Sequence, residues 1–184
     1  GKASGLDGIV STDHNTTSAL LHWGEVQDPE FLVINGVEVT YGQGHWNIFG
    51  LDPHAWIDFR IHHNDTLRYR KAVAKARKAG RLLVANHPYN LDFLYDVTPM
   101  DGIEVWNSAW SPANERAVEL WHTLLVGGNR KFAVASTDFH RGGNIASPHT
   151  VVRAEALSAE AVIDAIAAGR SYVARDTSVE IGMQ

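Results

Sequence analysis

Short apolar runs alternate with longer amphipathic stretches along this chain. Asp7–Thr12 (DGIVST) is apolar and β-branched and predicts a buried strand, with a short helix after it near Thr16–Trp23. Leu32–Thr40 predicts a second strand, in which Asn35-Gly36 marks a kink or turn. Trp46–Leu51 predicts a third, able to pair with it as a hairpin across YGQG. The stretch NDTLRYRKAVAKARKAG predicts a helix capped by Asn64 or Asp65 and stopped by Gly80. Strands follow at Arg81–Asn86 and Asp101–Asn107. A second helix has Ser111 as cap, Pro112 as first residue and Gly127 as end. KFAVAST and His149–Ala154 predict strands, LSAEAVIDAIAAGR a helix capped by Ser158 and ended by Gly169, and SYVARD a last strand.

This alternation predicts an α/β fold, a mainly parallel sheet with helices outside. No repeat, low-complexity tract or linker divides residues 1–184, which predicts a single domain. The chain has 184 residues, 45% hydrophobic, enough for a sizeable core. A net charge of −5 gives no sign of a nucleic-acid partner. No apolar run is long enough to span a membrane and no signal peptide is visible, so a soluble protein is expected, cytoplasmic or exported. The chain has no cysteine and 10 histidines, which excludes disulfides, thiolate metal sites and a cysteine nucleophile.

Polar residues of metal-binding type recur where the apolar strands end. Asp13 and His14 follow the first strand, Glu38 lies late in the second, and His45 precedes the third. His87 follows RLLVAN, Glu104 and Asn107 lie late in DGIEVWN, and Asp138 and His140 follow FAVAST. In a parallel barrel or open sheet such ends share one face, which carries the active site. A single Asp or His after a strand is as readily a turn former; agreement across strands favours a site. Glu38 is the sharpest case, because a carboxylate inside NGVEVT either faces solvent or must be paired or metal-bound. His22, His54, His62, His63, His122 and His149 lack this placement and read as packing or surface residues. Carboxylates and imidazoles without thiolates suit zinc, manganese or iron(II).

GLDGIVSTDHNT, GVEVTYGQGHWNIFGL, ANHPYN, GIEVWN and ASTDFH, in that order, resemble the motifs of the polymerase and histidinol phosphatase (PHP) family. GHWNIFGL and LSAEAVIDAIAAGRSYVARD look most like its carbaryl-hydrolase-like branch. The resemblance covers nearly the whole chain and implies a distorted (β/α)7 TIM-like barrel. It implies metal ligands at His14, Glu38, His45, His87, Asp138 and His140, with Glu38 bridging two ions. Asp13, Glu104 and Asn107 match groups that orient ligands. The family also begins with a strand carrying H-x-H, which this sequence lacks. The barrel is therefore expected without its first strand, and the chain is expected to hold fewer ions than the full protein and to expose edges that favour association, including a homo-oligomer.

The resemblance implies a metal-dependent hydrolase with two or three divalent ions (zinc, manganese or iron), in which a metal-bound hydroxide attacks a small, anionic ester. A phosphomonoester or phosphodiester is the first reading. A carbamate or carboxyl ester, as in the carbaryl-hydrolase type, is the alternative. A non-catalytic metal- or ligand-binding module is the reading from another class. Asp138, His140 and Arg141 are the candidate catalytic residues, Arg141 as a fork for an anionic group, although a solvated loop arginine is the favoured reading of that position. Trp46 and Trp106 could line a pocket for an aromatic leaving group, or simply pack the core.

Overall fold

The computed structural model describes residues 1–24, 28–89, 95–176, 178 and 181. Among them a six-stranded sheet runs in sequence order: β1 (Gly8–Ser11), β2 (Leu32–Tyr41), β3 (Gly44–Phe49), β4 (Leu82–Ala85), β5 (Gly102–Asn107) and β6 (Phe132–Ser136). The sheet curls into a half-barrel. A separate ribbon pairs β7 (His149–Val152) with β8 (Ser171–Ala174). The helices are α1 (Leu20–Trp23), α2 (Thr66–Ala79), α3 (Pro112–Val126) and α4 (Ala159–Ala167). No helix among the described residues is long and apolar enough to cross a membrane.

The sheet is mixed, where the sequence pattern predicts a mainly parallel one. β1–β2, β4–β5 and β5–β6 are parallel, while β2–β3 and β3–β4 are antiparallel. The cause is local. Only Gly42 and Gln43 separate β2 from β3, far too short a link for a parallel crossover. Asn35-Gly36 is not a turn either, since β2 runs straight through it. Gly36 is required for close approach: a Cβ there would stand 2.6 Å from the Ile48 carbonyl oxygen and 2.9 Å from Thr12 Cγ2.

Strand alternation sorts the residues onto two faces. Val37, Val39, Trp46, Ile48, Leu83, Ala85 and Ile103 form one face, packed against Tyr69, Ala72, Val73 and Ala76 of α2. Trp121 and Leu124 of α3 join that layer. On the other face Ile34, Phe49, Leu82, Val84 and Val134 pack against Ile163 and Ile166 of α4. The α4 face thus starts apolar, and its far end holds the polar residues described below. Thr150 on β7 docks the ribbon to β6, its hydroxyl accepting from Ala135 N–H and donating to Ala135 C=O.

The helix ends follow the predicted punctuation with physical differences. Asp65 caps α2 by accepting from Arg68 N–H at 2.9 Å. Gly80 is extended rather than left-handed; it is needed because a Cβ would lie 2.2 Å from Ile48 Cγ2. Ser111 makes no side-chain cap, and at the end of α3 it is Gly128, not Gly127, that turns left-handed. Ser158 caps α4 through Ala161 N–H. The predicted Thr16–Trp23 helix is confined to Leu20–Trp23.

Gly36→Ala is expected to destabilise the fold by about 1–3 kcal/mol through overpacking against backbone. Gly42→Ala, with nothing within 4 Å of its Cβ, is expected to stay within ~0.5 kcal/mol of the parent. Urea denaturation of both variants checks this.

Candidate metal centre

The site forms where β-ladder registers bring separate strand ends level. β1 pairs with β2 in parallel, Ser11 opposite Asn35, and the same register carries His14 opposite Glu38 beyond the end of β1. Glu38 N–H donates to Asp13 C=O, and Asn15 N–H to Glu38 C=O. On the other side β3 sets Asn47 opposite Glu38 and His45 opposite Thr40. Glu38, Thr40, His45 and Asn47 therefore share the α4 face by alternation.

Two residues reach that face only through irregular backbone. Ala85 points to the α2 face, so Asn86 falls on the α4 face and His87 would return to the α2 side. The His87 backbone instead turns to φ 24°, a sparsely populated region costing ~1–3 kcal/mol unless the surroundings hold it. Its N–H donates to Glu104 Oε2 at 2.7 Å. On β5, Glu104 and Asn107 are three apart and would face opposite ways in a regular strand. A bulge between Glu104 and Trp106 reverses the parity, and Asn107 Nδ2 donates to Glu104 Oε1 at 3.3 Å.

Glu38 lies at the centre. It is 4% exposed, and three imidazoles surround its carboxylate. His45 Nδ1 is 3.0 Å from Oε1, His87 Nε2 3.4 Å from Oε1, and His14 Nδ1 3.4 Å from Oε2. Asn86 Nδ2 donates to Oε1 at 3.0 Å. His14 Nε2 is 3.1 Å from His140 Nε2, and His140 Nδ1 contacts Asp138 C=O at 2.8 Å. Ligand atoms of His14, Glu38 and His45 all lie within 4.8 Å of one another, a spacing that could hold a metal ion. The mixed nitrogen and oxygen donors fit zinc, manganese or iron(II).

The electrostatics are those of a coupled cluster. Burial alone pushes the Glu38 carboxyl up, but the close imidazoles of His45 and His87, the Asn86 hydrogen bond and the charge of His14 hold it well below its ordinary range. Burial pushes His87 down, yet the bond to Glu38 and the charges of Glu104, Glu38 and Asp138 leave it raised. Glu104 is raised by burial, against the opposing pull of His87 and the Ser136 hydroxyl.

Of the residues singled out from sequence, His14, Glu38, His45, His87 and His140 come together by direct contact. Asp138, in a left-handed conformation at φ 51°, acts on His87 and Glu104 through its charge. Glu104 and Asn107 form the layer beneath His87. The Asp13 carboxylate accepts from Ser11 Oγ at 3.2 Å, and it is the Asp13 carbonyl that meets Glu38. Arg141 is exposed and makes no hydrogen bond or ion pair with a described residue. Trp46 is 0% exposed in the α2 layer, so of its two readings core packing holds. Trp106 donates from Nε1 to Ser108 C=O. Asn90, the last residue of ANHPYN, lies outside the described residues.

Several supporting residues were not among those singled out from the sequence. Asn86 holds Glu38; Thr40 Oγ1 is 2.5 Å from His14 Nδ1; Ser136 Oγ donates to Glu104 Oε1 at 2.6 Å. Tyr95 OH donates to His45 C=O at 2.6 Å. Asn86 and Thr40 carried a signal: each is polar at a face position shared with a predicted ligand. Tyr95 carried none, because its contact spans 50 residues of sequence.

No family model matches this chain, and no curated protein does. A solved two-domain protein from Bacteroides vulgatus, described as containing a predicted PHP-like metal-dependent phosphoesterase, superposes with a TM-score of 0.69. The chain shares its fold. The match covers 94% of this chain at 20% identity, and the chain spans 57% of that protein's length. A second solved structure, a candidate metal-dependent phosphoesterase from Bifidobacterium adolescentis, matches at a TM-score of 0.46 and 15% identity, over 78% of this chain and 80% of that one.

Asn86→Ala is expected to weaken binding of zinc or manganese about 10–100-fold, as loss of ligand-orienting groups does. Competition with a chromophoric chelator measures it, with circular dichroism to show that the variant is folded. The metal-free protein should also have a bounded stability optimum. The lowered Glu38 contributes stability above its ordinary 4.5 and loses it as pH falls through its folded value. The raised His87 contributes below its ordinary 6.5 and loses it as pH rises through its folded value. Urea denaturation with chelator present should therefore show this contribution in full between pH 4.5 and 6.5, and Glu38→Gln should remove the acid limb.

Proposed function

We propose that this chain is a PHP-type metal-dependent hydrolase acting on phosphoesters. The observation that carries the reading is the buried Glu38 carboxylate within 3.4 Å of three imidazoles, at the end of a sheet whose fold is shared with the Bacteroides vulgatus protein. Glu38, His45 and His87 would hold one ion and Glu38 would bridge to a second. His14 and His140 would serve a further position, and Asp138 the bridged pair. When bound, two or three such ions would supply Lewis acidity toward the ester and lower the pKa of water.

The protein's own groups have separate tasks in this proposal. Asn86 and Glu104 orient Glu38 and His87. Where they are not engaged by an ion, Asp138 and His140 can hold or move a proton at the leaving oxygen. Arg141, exposed next to His140 and unbonded among the described residues, can fork onto an anionic ester. The sequence likeness to the carbaryl-hydrolase-like branch supports a second reading, in which the same site cleaves a carbamate or carboxyl ester.

Manganese- or zinc-loaded protein is expected to hydrolyse p-nitrophenyl phosphate or bis-p-nitrophenyl phosphate faster than an aryl carbamate. His87→Ala is expected to lower kcat by about 100-fold or more. Faster carbamate cleavage would favour the second reading. Bound metal with no hydrolysis of any of the three would favour a binding module instead.

A further inference from the structure

The starts of β4, β5 and β6 lie at the opposite end of these parallel strands from the histidine cluster. A cleft of about 600 Å³ opens there, within the range of small-molecule sites. Its wall includes Arg77 from α2, Thr98 and Asp101 from the approach to β5, and Arg130 and Lys131 from the approach to β6. Three cations thus face one carboxylate, in a chain whose net charge is −5. The carboxylate is already engaged. Asp101 accepts from the Arg77 guanidinium and, at 2.8 Å, from Leu83 N–H.

Lys131 is the unusual member. It is 6% exposed, and its ammonium donates to Thr98 C=O at 3.0 Å and to Met100 C=O. A lysine has three N–H donors, so the third is without an acceptor among the described residues. No described carboxylate lies within ion-pairing distance of it. Burial pushes Lys131 down; Asp101 and Asp96 pull it partly back, and Arg77 opposes them. Arg130, its neighbour, is exposed and makes no hydrogen bond or ion pair with any described residue. A buried cation with no described carboxylate in ion-pairing range is costly, and an anion in the cleft would supply a closer partner than Asp101 or Asp96.

We propose that this cleft is a second ligand site, remote from the candidate metal centre, that takes a small phosphate-type dianion between the Lys131 ammonium and the Arg130 guanidinium, with Arg77, whose terminal nitrogens already donate to Asp101 and to Pro99 C=O, adding positive charge beside it. A guanidinium fork and an ammonium match the several acceptor oxygens and double charge of such a group. The site does not depend on the chemistry at the other end of the sheet, and it can be tested without metal.

The probe is inorganic phosphate, titrated into chelator-treated protein at constant ionic strength and followed by amide resonances. Saturable shifts are expected at residues 98–101 and 129–132. Arg130→Ala, at an exposed position that bonds to no described residue, should fold normally and bind about tenfold more weakly or worse. Lys131→Met should abolish the shifts, with circular dichroism reporting its fold. Shifts confined to the surroundings of His14, His45 and His87, a response that does not saturate, or unchanged affinity in Arg130→Ala would each overturn the proposal.

Discussion

Burying the Glu38 carboxylate inside a sheet is the constraint on which the polar end of this molecule depends. An isolated charge at that depth would be neutralised or would unfold its surroundings. Here three imidazoles and the Asn86 amide surround it, and the balance keeps it ionised despite burial. The compensating groups come from three separate stretches of chain, Asn86 and His87 being neighbours after β4. The ladders that align them, β1 on β2, β2 on β3 and β3 on β4, are therefore as necessary to the site as the side chains.

The same requirement accounts for the irregular backbone. His87 and Asn107 both have the wrong parity to face Glu38's side of the sheet. A left-handed residue corrects the first and a bulge the second. Glu104 then joins the two corrections, accepting from His87 N–H and from Asn107. Strain of this kind persists only where surrounding contacts hold it, and it concentrates where chemistry needs a fixed geometry.

Much of the arrangement was legible in the sequence, for physical reasons. Glu38 stands out because a carboxylate between valines violates strand patterning, and His14, His45 and His87 because each adjoins an apolar run. The parity corrections were not legible: spacing alone gives no sign of a bulge at Val105 or of a positive φ at His87. The Asn35-Gly36 pair misleads as a turn signal because its glycine serves packing against Ile48. Trp46 misleads as a pocket residue because alternation on β3 sends it to the α2 layer, opposite to His45. Gly80 ends a helix by fitting against a side chain, a contact no local pattern encodes. The cationic cleft was equally hidden, since Arg77 and Lys131 become neighbours only when β4 and β6 flank β5.

The central claim is that the Glu38 carboxylate organises a metal centre. Anomalous diffraction from crystals grown with manganese tests it most directly. An anomalous peak is expected in contact with the Glu38 carboxylate and with at least two of His14, His45 and His87. A fully occupied manganese peak elsewhere, or none within reach of Glu38, would contradict it.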